Sequence, residues 1–190
     1  MSLDSEIVVV SGLPRSGTSL MMQMLDRGGI PALTDHERIA DVDNPRGYYE
    51  FEAVKRTKDD SAWVCDAKGK VVKMVSSLLY DLPTTEKYRV IFLRRNFDEM
   101  LDSQEKMLKR LGKPAAPRDA IKSAYNKHLK KLFEWLPTQP HLRALVVSYN
   151  DVIDDAEKQV ARIVEFLDGV PSAEKMLQAI DPALYRNRAS

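Results

Sequence analysis

The chain has 190 residues, 44% hydrophobic and 30% charged, a composition typical of one globular domain over residues 1–190 and unlike that of a disordered or fibrous chain. Its 29 basic and 28 acidic residues leave a net charge of +1. The chain therefore lacks the overall basic excess that non-specific nucleic-acid binding usually needs. The single cysteine, Cys65, excludes an internal disulfide, and the three histidines lack zinc-motif spacing, so no metal is expected. Without a leader or an apolar run of about 18 residues, we expect a cytoplasmic protein with no nucleic-acid or membrane partner.

Four short runs rich in β-branched residues predict strands: Ile7–Val10, Val71–Val75, Arg89–Arg94 and Arg143–Ser148. The runs are apolar nearly throughout, which is typical of parallel strands that are covered on both faces. Helical spacing of apolar residues between them predicts helices over 19–27, 97–111, 119–136 and 154–167. The alternation predicts an α/β fold, a three-layer P-loop-type sandwich with a central, mainly parallel sheet flanked by helices.

A glycine loop joins the first predicted strand to the first predicted helix. Its sequence is Ser11-Gly12-Leu13-Pro14-Arg15-Ser16-Gly17-Thr18-Ser19. This is the order of strand, glycine loop and helix of a P-loop, in which backbone N–H groups and the helix dipole bind an anion; a tight strand-to-helix turn without a ligand is the alternative. We expect the N–H groups of residues 16–19 to face that anion, together with the hydroxyl groups of Ser16, Thr18 and Ser19.

The loop differs from that of nucleotide triphosphatases in its charges. Thr18 replaces the lysine that reaches the terminal phosphates, and the positive charge lies earlier, at Arg15. The strand RVIFLRR ends in two arginines, with no aspartate to hold magnesium. A polyphosphate needs that metal, whereas a transferred sulfuryl group carries one charge, for which arginine and backbone amides suffice. The loop therefore favours a phosphosulfate over ATP.

The segment GLPRSGTSLMMQML resembles the phosphosulfate-binding loop P-[KR]-S-G-T-[ST] of sulfotransferases that use 3′-phosphoadenosine 5′-phosphosulfate (PAPS), and the resemblance is to small bacterial members. A second segment, Arg95 to Ser103, resembles the family signature R-[ND]-P-x5-S, with Phe97 at the proline position. The resemblance implies that Arg95 and Ser103 bind the 3′-phosphate. For the loop it implies PAPS-binding residues Pro14, Arg15, Ser16, Gly17, Thr18 and Ser19.

Two further segments extend the resemblance towards the C-terminus. Ser148-Tyr149-Asn150-Asp151-Val152 resembles the family stretch Y-E-D-[LM], which implies that Tyr149 lies at the adenine; a tyrosine of the core is an equally good interpretation. Tyr185-Arg186-Asn187-Arg188 resembles the C-terminal basic loop of the family. That likeness implies a contact from Arg186 or Arg188 to the 3′-phosphate, with solvated arginines as the alternative.

Sulfuryl transfer requires a base at the acceptor and a cation at the leaving oxygen, for which Arg15 is the natural candidate. The cytosolic branch of the family takes its base from the strand motif K-T-H. Here that stretch reads Lys73-Met74-Val75, so Lys73 is kept as a catalytic candidate and the histidine is absent.

A carboxylate is the predicted replacement for the missing base. NPRGYYEFE resembles a stretch of bacterial family members and places Glu50 first. Glu52 is second, and Asp35 and His36 are more distant options. Because Glu50 and Glu52 are two residues apart, only one of them is expected to point inward. Three aromatic residues are candidates for the acceptor pocket, although buried aromatic residues of a loop more often belong to the core: Tyr48, Tyr49 and Trp63.

The resemblance implies a metal-independent transferase that moves a sulfuryl group from PAPS to a hydroxyl or amine of a small-molecule or glycan acceptor. Two alternatives remain: an inactive nucleotide-binding module of the same fold, favoured by the absent histidine, and a P-loop phosphotransferase, disfavoured by the absent lysine and aspartate. The sequence specifies neither the acceptor nor the oligomeric state.

Overall fold

A computed structural model describes residues 3–35, 37, 41 and 47–181. It confirms the predicted α/β fold with a central parallel sheet flanked by helices. The strands are β1 (Ile7–Gly12), β2 (Val71–Val75), β3 (Tyr88–Arg94) and β4 (Leu142–Ser148). They lie in the order β2-β1-β3-β4, and each neighbouring pair is parallel. Each predicted strand is present, although three of the four extend one or two residues beyond the predicted bounds.

Six α-helices are present in the described part of the chain: α1 (Thr18–Arg27), α2 (Phe97–Arg110), α3 (Arg118–Trp135), α4 (Tyr149–Asp154), α5 (Ala156–Phe166) and α6 (Ala173–Leu177). Short 3-10 turns cover Leu3–Ser5, Glu52–Arg56, Ala62–Ala67, Ser76–Asp81 and Leu136–Thr138. None of the described helices is long and apolar enough to cross a membrane.

The helix predicted over 154–167 is wrong at its start. The Asp155 side chain accepts the N–H of Lys158 and caps α5, which therefore begins at Ala156, two residues later than predicted. A separate helix, α4, precedes it and is capped by the Ser148 hydroxyl. As a result Tyr149 lies in the first turn of a helix that starts directly at the end of β4.

The core has two halves, one on each face of the sheet. Ile7 and Val9 of β1 pack in one half, with Leu132 of α3. Val8 and Val10 pack in the other half, with α1 and α5. Since alternate side chains of a strand point to opposite faces, a strand covered on both sides must be apolar throughout, which explains the continuous runs in the sequence.

A buried arginine joins elements at the amino-terminal edge of the sheet. Arg89 is 2% exposed and pairs with Glu6 and Asp168. Its Nη1 also donates to the carbonyl oxygen of Phe166, at 2.6 Å. Since a buried guanidinium must be paired and hydrogen-bonded, this contact ties β1 and β3 to the end of α5.

The carboxyl ends of the strands meet at the opposite edge. Gly12 of β1 is in register with Val75 of β2 and with Leu93 of β3, and Arg94 of β3 is in register with Ser148 of β4. The segments that follow these strands therefore lie side by side. This is the edge at which open α/β sheets bind their ligands.

Candidate active site

A cavity of about 840 Å³ opens at the carboxyl edge of the sheet, a size typical of small-molecule sites. The glycine loop, β2, α2 and α4 line it, and so does the segment that contains Tyr48 and Glu50. The cavity therefore brings together segments that are far apart in the sequence. Among the described residues, no group of His, Cys, Asp and Glu side chains is arranged to hold a metal ion.

The glycine loop forms one wall of the cavity through Pro14, Arg15, Gly17, Thr18 and Ser19. Gly17 has a φ of 97° and precedes the first turn of α1. The N–H groups of a first helical turn have no partner within the helix and carry its positive dipole end. The loop thus places a helix N-terminus against the cavity, as an anion site requires.

A close contact explains why residue 17 is glycine. A Cβ atom on Gly17 would lie 2.1 Å from Cδ2 of Tyr149, far inside the ordinary contact distance. The tyrosine ring of α4 consequently packs directly on the backbone of the glycine loop, and any side chain at position 17 would displace it.

Ser16 differs from the expectation. Its N–H donates to the carbonyl oxygen of Leu13, at 3.2 Å, and its hydroxyl is buried with no hydrogen-bond partner among the described residues. The side chain packs towards Gly12 and lines a separate cavity of about 210 Å³. The Ser16 hydroxyl therefore lies behind the loop and outside the larger cavity, contrary to the expectation that it faces the anion.

Arg95 and Ser103, which follow β3, both reach the glycine loop. Nε of Arg15 donates to the Ser103 hydroxyl oxygen at 2.9 Å, and Nη1 of Arg95 donates to the Arg15 carbonyl oxygen at 3.4 Å. Arg15 has a φ of 67°, a conformation that costs a non-glycine residue free energy. The two contacts hold this residue in place from both its backbone and its side chain.

Tyr149 completes this wall. The Arg95 guanidinium lies 4.5 Å from the centre of the tyrosine ring, within the range of a cation–π contact. Burial raises the pKa of the Tyr149 phenol, and the nearby Arg95 charge acts in the opposite direction. The ring is thus held neutral between Gly17 and Arg95, with its flank on the cavity.

Glu50 and Lys73 lie together in the lining of the same cavity. Nζ of Lys73 is 3.9 Å from Oε1 of Glu50 and donates to the Tyr48 carbonyl oxygen. Nζ of Lys55 approaches the other carboxylate oxygen at 4.0 Å. Val75, at the position of the absent histidine, lines the cavity and is 47% exposed.

The other base candidates occupy different surroundings. The Glu52 side chain is 56% exposed and pairs with Lys55 at 2.7 Å, and it does not line the cavity. The Asp35 carboxylate accepts the backbone N–H groups of Glu52 and Glu37. His36 lies outside the described residues, as do Arg186 and Arg188. Of the two neighbouring glutamates, the structure directs only Glu50 into the cavity.

Of the three aromatic candidates for the acceptor pocket, one lines the cavity and two lie in the core. Tyr48 is 5% exposed and lines the cavity. Tyr49 packs against the core half that contains α1. Trp63 is buried in the other half, where its Nε1 donates to the Thr57 hydroxyl oxygen at 3.2 Å. Tyr49 and Trp63 thus pack in the core, the alternative that the sequence left open, and of the three only Tyr48 lines the cavity.

Sequence reasoning missed several cavity residues on α2. Lys106, Met107 and Arg110 line the cavity beside Ser103. These residues follow Ser103 at spacings of three, four and seven, which is the pattern of one helix face. Once Ser103 had been placed at the site, that spacing was sufficient to find them.

A glycine loop, a helix N-terminus and clustered arginines at the carboxyl edge of a parallel sheet are the arrangement of P-loop-type α/β domains. The model of the sulfotransferase family matches residues 30–173. The chain therefore belongs to the sulfotransferase family. The matched range contains Arg95, Ser103 and Tyr149 and begins after the glycine loop.

Two solved structures show the same fold. The sulfotransferase domain of the Synechococcus PCC 7002 olefin synthase has a TM-score of 0.62 and 17% identity, with 100% of this chain and 90% of that one covered. The sulfotransferase domain from the curacin biosynthetic pathway has a TM-score of 0.57 and 16% identity, with coverages of 93% and 78%. No curated protein sequence matches this chain.

Proposed function

We propose that the protein is a sulfotransferase that moves the sulfuryl group of PAPS to a hydroxyl or amine of a small-molecule or glycan acceptor, without a metal ion. The main support for the proposal is that Arg95, Ser103 and Tyr149 all contact the glycine loop at one wall of the cavity. Family membership supports the reaction class.

The wall that contains the glycine loop, Arg95, Ser103 and Tyr149, here called the donor wall, has groups suited to each part of PAPS. The first turn of α1 and Arg15 fit the phosphosulfate, because backbone N–H groups and a guanidinium suit an anion of low charge. Arg95 and Ser103 fit the 3′-phosphate through charge-assisted hydrogen bonds. The flank of the Tyr149 ring, which lines the cavity, would contact the adenine.

Glu50, Lys73 and Arg15, which also line the cavity, are suited to the transfer itself. In the proposed reaction the acceptor oxygen or nitrogen forms a bond to sulfur, and the bond from sulfur to the phosphate oxygen breaks. Glu50 would take the proton of the acceptor, and Arg15 would stabilise the charge on the leaving oxygen. Lys73, near Glu50 and bound to the Tyr48 carbonyl, would hold the carboxylate in position.

One observation favours a second candidate function, an inactive nucleotide-binding module. Val75 stands where the cytosolic branch has its histidine, and it is open to solvent. A module that lost its base would retain the donor wall intact. Both candidates therefore predict the same nucleotide affinity and differ only in turnover.

Calorimetry tests the donor site. Adenosine 3′,5′-bisphosphate, the desulfo product, should bind in the presence of EDTA and more tightly than AMP or magnesium–ATP. A preference for magnesium–ATP would contradict the proposal and favour a phosphotransferase. Tight binding of the bisphosphate with no sulfuryl transfer to any acceptor would favour the inactive module.

A further inference from the structure

We infer that Glu99 is a positioning residue: it orients the Arg95 guanidinium for recognition of a 3′-phosphate. This inference rests on the proposed function. Glu99 lies on the first turn of α2, outside the cavity lining. The residue is 3% exposed, although glutamate is rarely buried unless it is paired.

The partners of Glu99 explain its burial. Its Oε2 accepts Nε of Arg95 at 2.9 Å, in a pair whose side chains are 8% and 4% exposed. Nδ2 of Asn150 donates to both carboxylate oxygens, at 3.1 and 3.2 Å. The carboxylate therefore bridges α2 to α4, and two bonds from Asn150 fix its plane.

The Glu99 carboxylate, held in one orientation, also determines the orientation of the Arg95 guanidinium. The five N–H groups of a guanidinium lie in one plane, so a bond at Nε and another at Nη1 determine the direction of the whole group. Glu99 accepts the first bond and the Arg15 carbonyl accepts the second. The Tyr149 ring then supports the face of the same group. Glu99 thus sets the orientation of Arg95 with respect to both the loop and the cavity.

A Glu99→Gln substitution distinguishes orientation from simple charge. If Glu99 only offset the charge of Arg95, its neutralisation would strengthen the field at a bound phosphate, and affinity for adenosine 3′,5′-bisphosphate would rise or stay the same. If Glu99 orients Arg95, that affinity should fall about tenfold, because charge-assisted hydrogen bonds are roughly twice as strong as neutral ones. AMP lacks the 3′-phosphate, so its affinity should change by no more than about twofold.

A double substitution shows whether Glu99 acts through Arg95. In the Arg95→Ala background, Glu99→Gln should leave the ratio of bisphosphate to AMP affinity unchanged, since the group that it positions is gone. Glu105→Gln is the matched control: Glu105 lies on the same helix and pairs with the surface residue Arg118. It should alter neither affinity.

Asn150→Ala gives a milder version of the test if Glu99→Gln does not fold, because it removes two bonds to the carboxylate and keeps the Arg95 pair. The bisphosphate affinity should then fall about threefold, with AMP affinity retained. An unchanged or raised bisphosphate affinity in the folded variants would overturn the role of Glu99. Failure of the wild type to bind the bisphosphate would overturn the proposed function as well, and the two failures are therefore distinct.

Discussion

Nε of Arg15 donates to the hydroxyl oxygen of Ser103 at 2.9 Å, across 88 positions of sequence. The bond joins the glycine loop to the second turn of α2. Ser103 is 4% exposed, and its bond to Arg15 is partly buried at the lining of the cavity. The serine of the R-[ND]-P-x5-S signature thus holds the arginine of the loop in addition to any contact that it makes with a phosphate.

Ser103→Ala should therefore weaken the binding of both AMP and adenosine 3′,5′-bisphosphate. A hydrogen bond to a charged group contributes about 1.5–3 kcal/mol, so a loss of about tenfold or more is expected for each ligand. Calorimetry with the two nucleotides measures it, and Ser123→Ala, an exposed serine of α3, is the control. A loss confined to the bisphosphate would show that Ser103 acts on the 3′-phosphate alone.

Gly17→Ala should abolish nucleotide binding and destabilise the fold, because the new Cβ meets the Tyr149 ring at 2.1 Å. Gly29→Ala is a matched control: its φ is 105° against 97° for Gly17, but a Cβ there meets nothing within 4 Å. In the control the backbone strain alone should lower the free energy of unfolding, by about 1–2 kcal/mol, and the affinity for nucleotide should stay unchanged. Urea unfolding and calorimetry compare the two. Equal effects would mean that the ring contact has no role.

The strands and the family signature were predictable because their information is local. A continuous apolar run marks a strand covered on both faces, and β2 begins and ends where the run Val71–Val75 does. The boundary before α5 was missed although its signal is equally local: Asp155 is a helix cap and Ser148 starts a second helix.

Side-chain directions in the site were less predictable because they depend on backbone angles and on distant partners. The positive φ of Arg15 accompanies a loop in which Ser16 lies behind the backbone, and the sequence does not show this. Spacing alone indicated that one of Glu50 and Glu52 faces inward, but only the fold identifies Glu50 as that residue. The sequence left Tyr49 and Trp63 between pocket and core, because an aromatic residue suits both, and the fold places them in the core.

Asp168→Asn should make the free energy of unfolding less sensitive to pH in the acid range. The hydrogen bond from Arg89 holds the pKa of Asp168 below its usual 3.8, so the ionised carboxylate stabilises the fold above that pH. The contribution is lost as the pH falls through the lowered pKa. Since Asp168 has a φ of 56°, asparagine, which tolerates this region, is the suitable replacement. Urea midpoints should be lower for the variant at pH 7 and converge with the wild type in acid, whereas Asp59→Asn, on an exposed turn, should follow the wild type throughout.

Glu50→Gln should lower sulfuryl transfer by about 10²–10⁴-fold, the usual contribution of a general base. Donor affinity should be retained, because Glu50 is proposed to act on the acceptor and it pairs with Lys73 and Lys55. The rate of transfer is measured as sulfate release from PAPS in water and as sulfuryl transfer to phenol and simple alcohols. Calorimetry with adenosine 3′,5′-bisphosphate measures the affinity for the donor nucleotide. Glu52→Gln is the matched control, since its carboxylate is two residues away and points to solvent; its rate should equal that of the wild type. A Glu50→Gln variant with normal rates would exclude this carboxylate as the base and leave Asp35 or His36 to be tested.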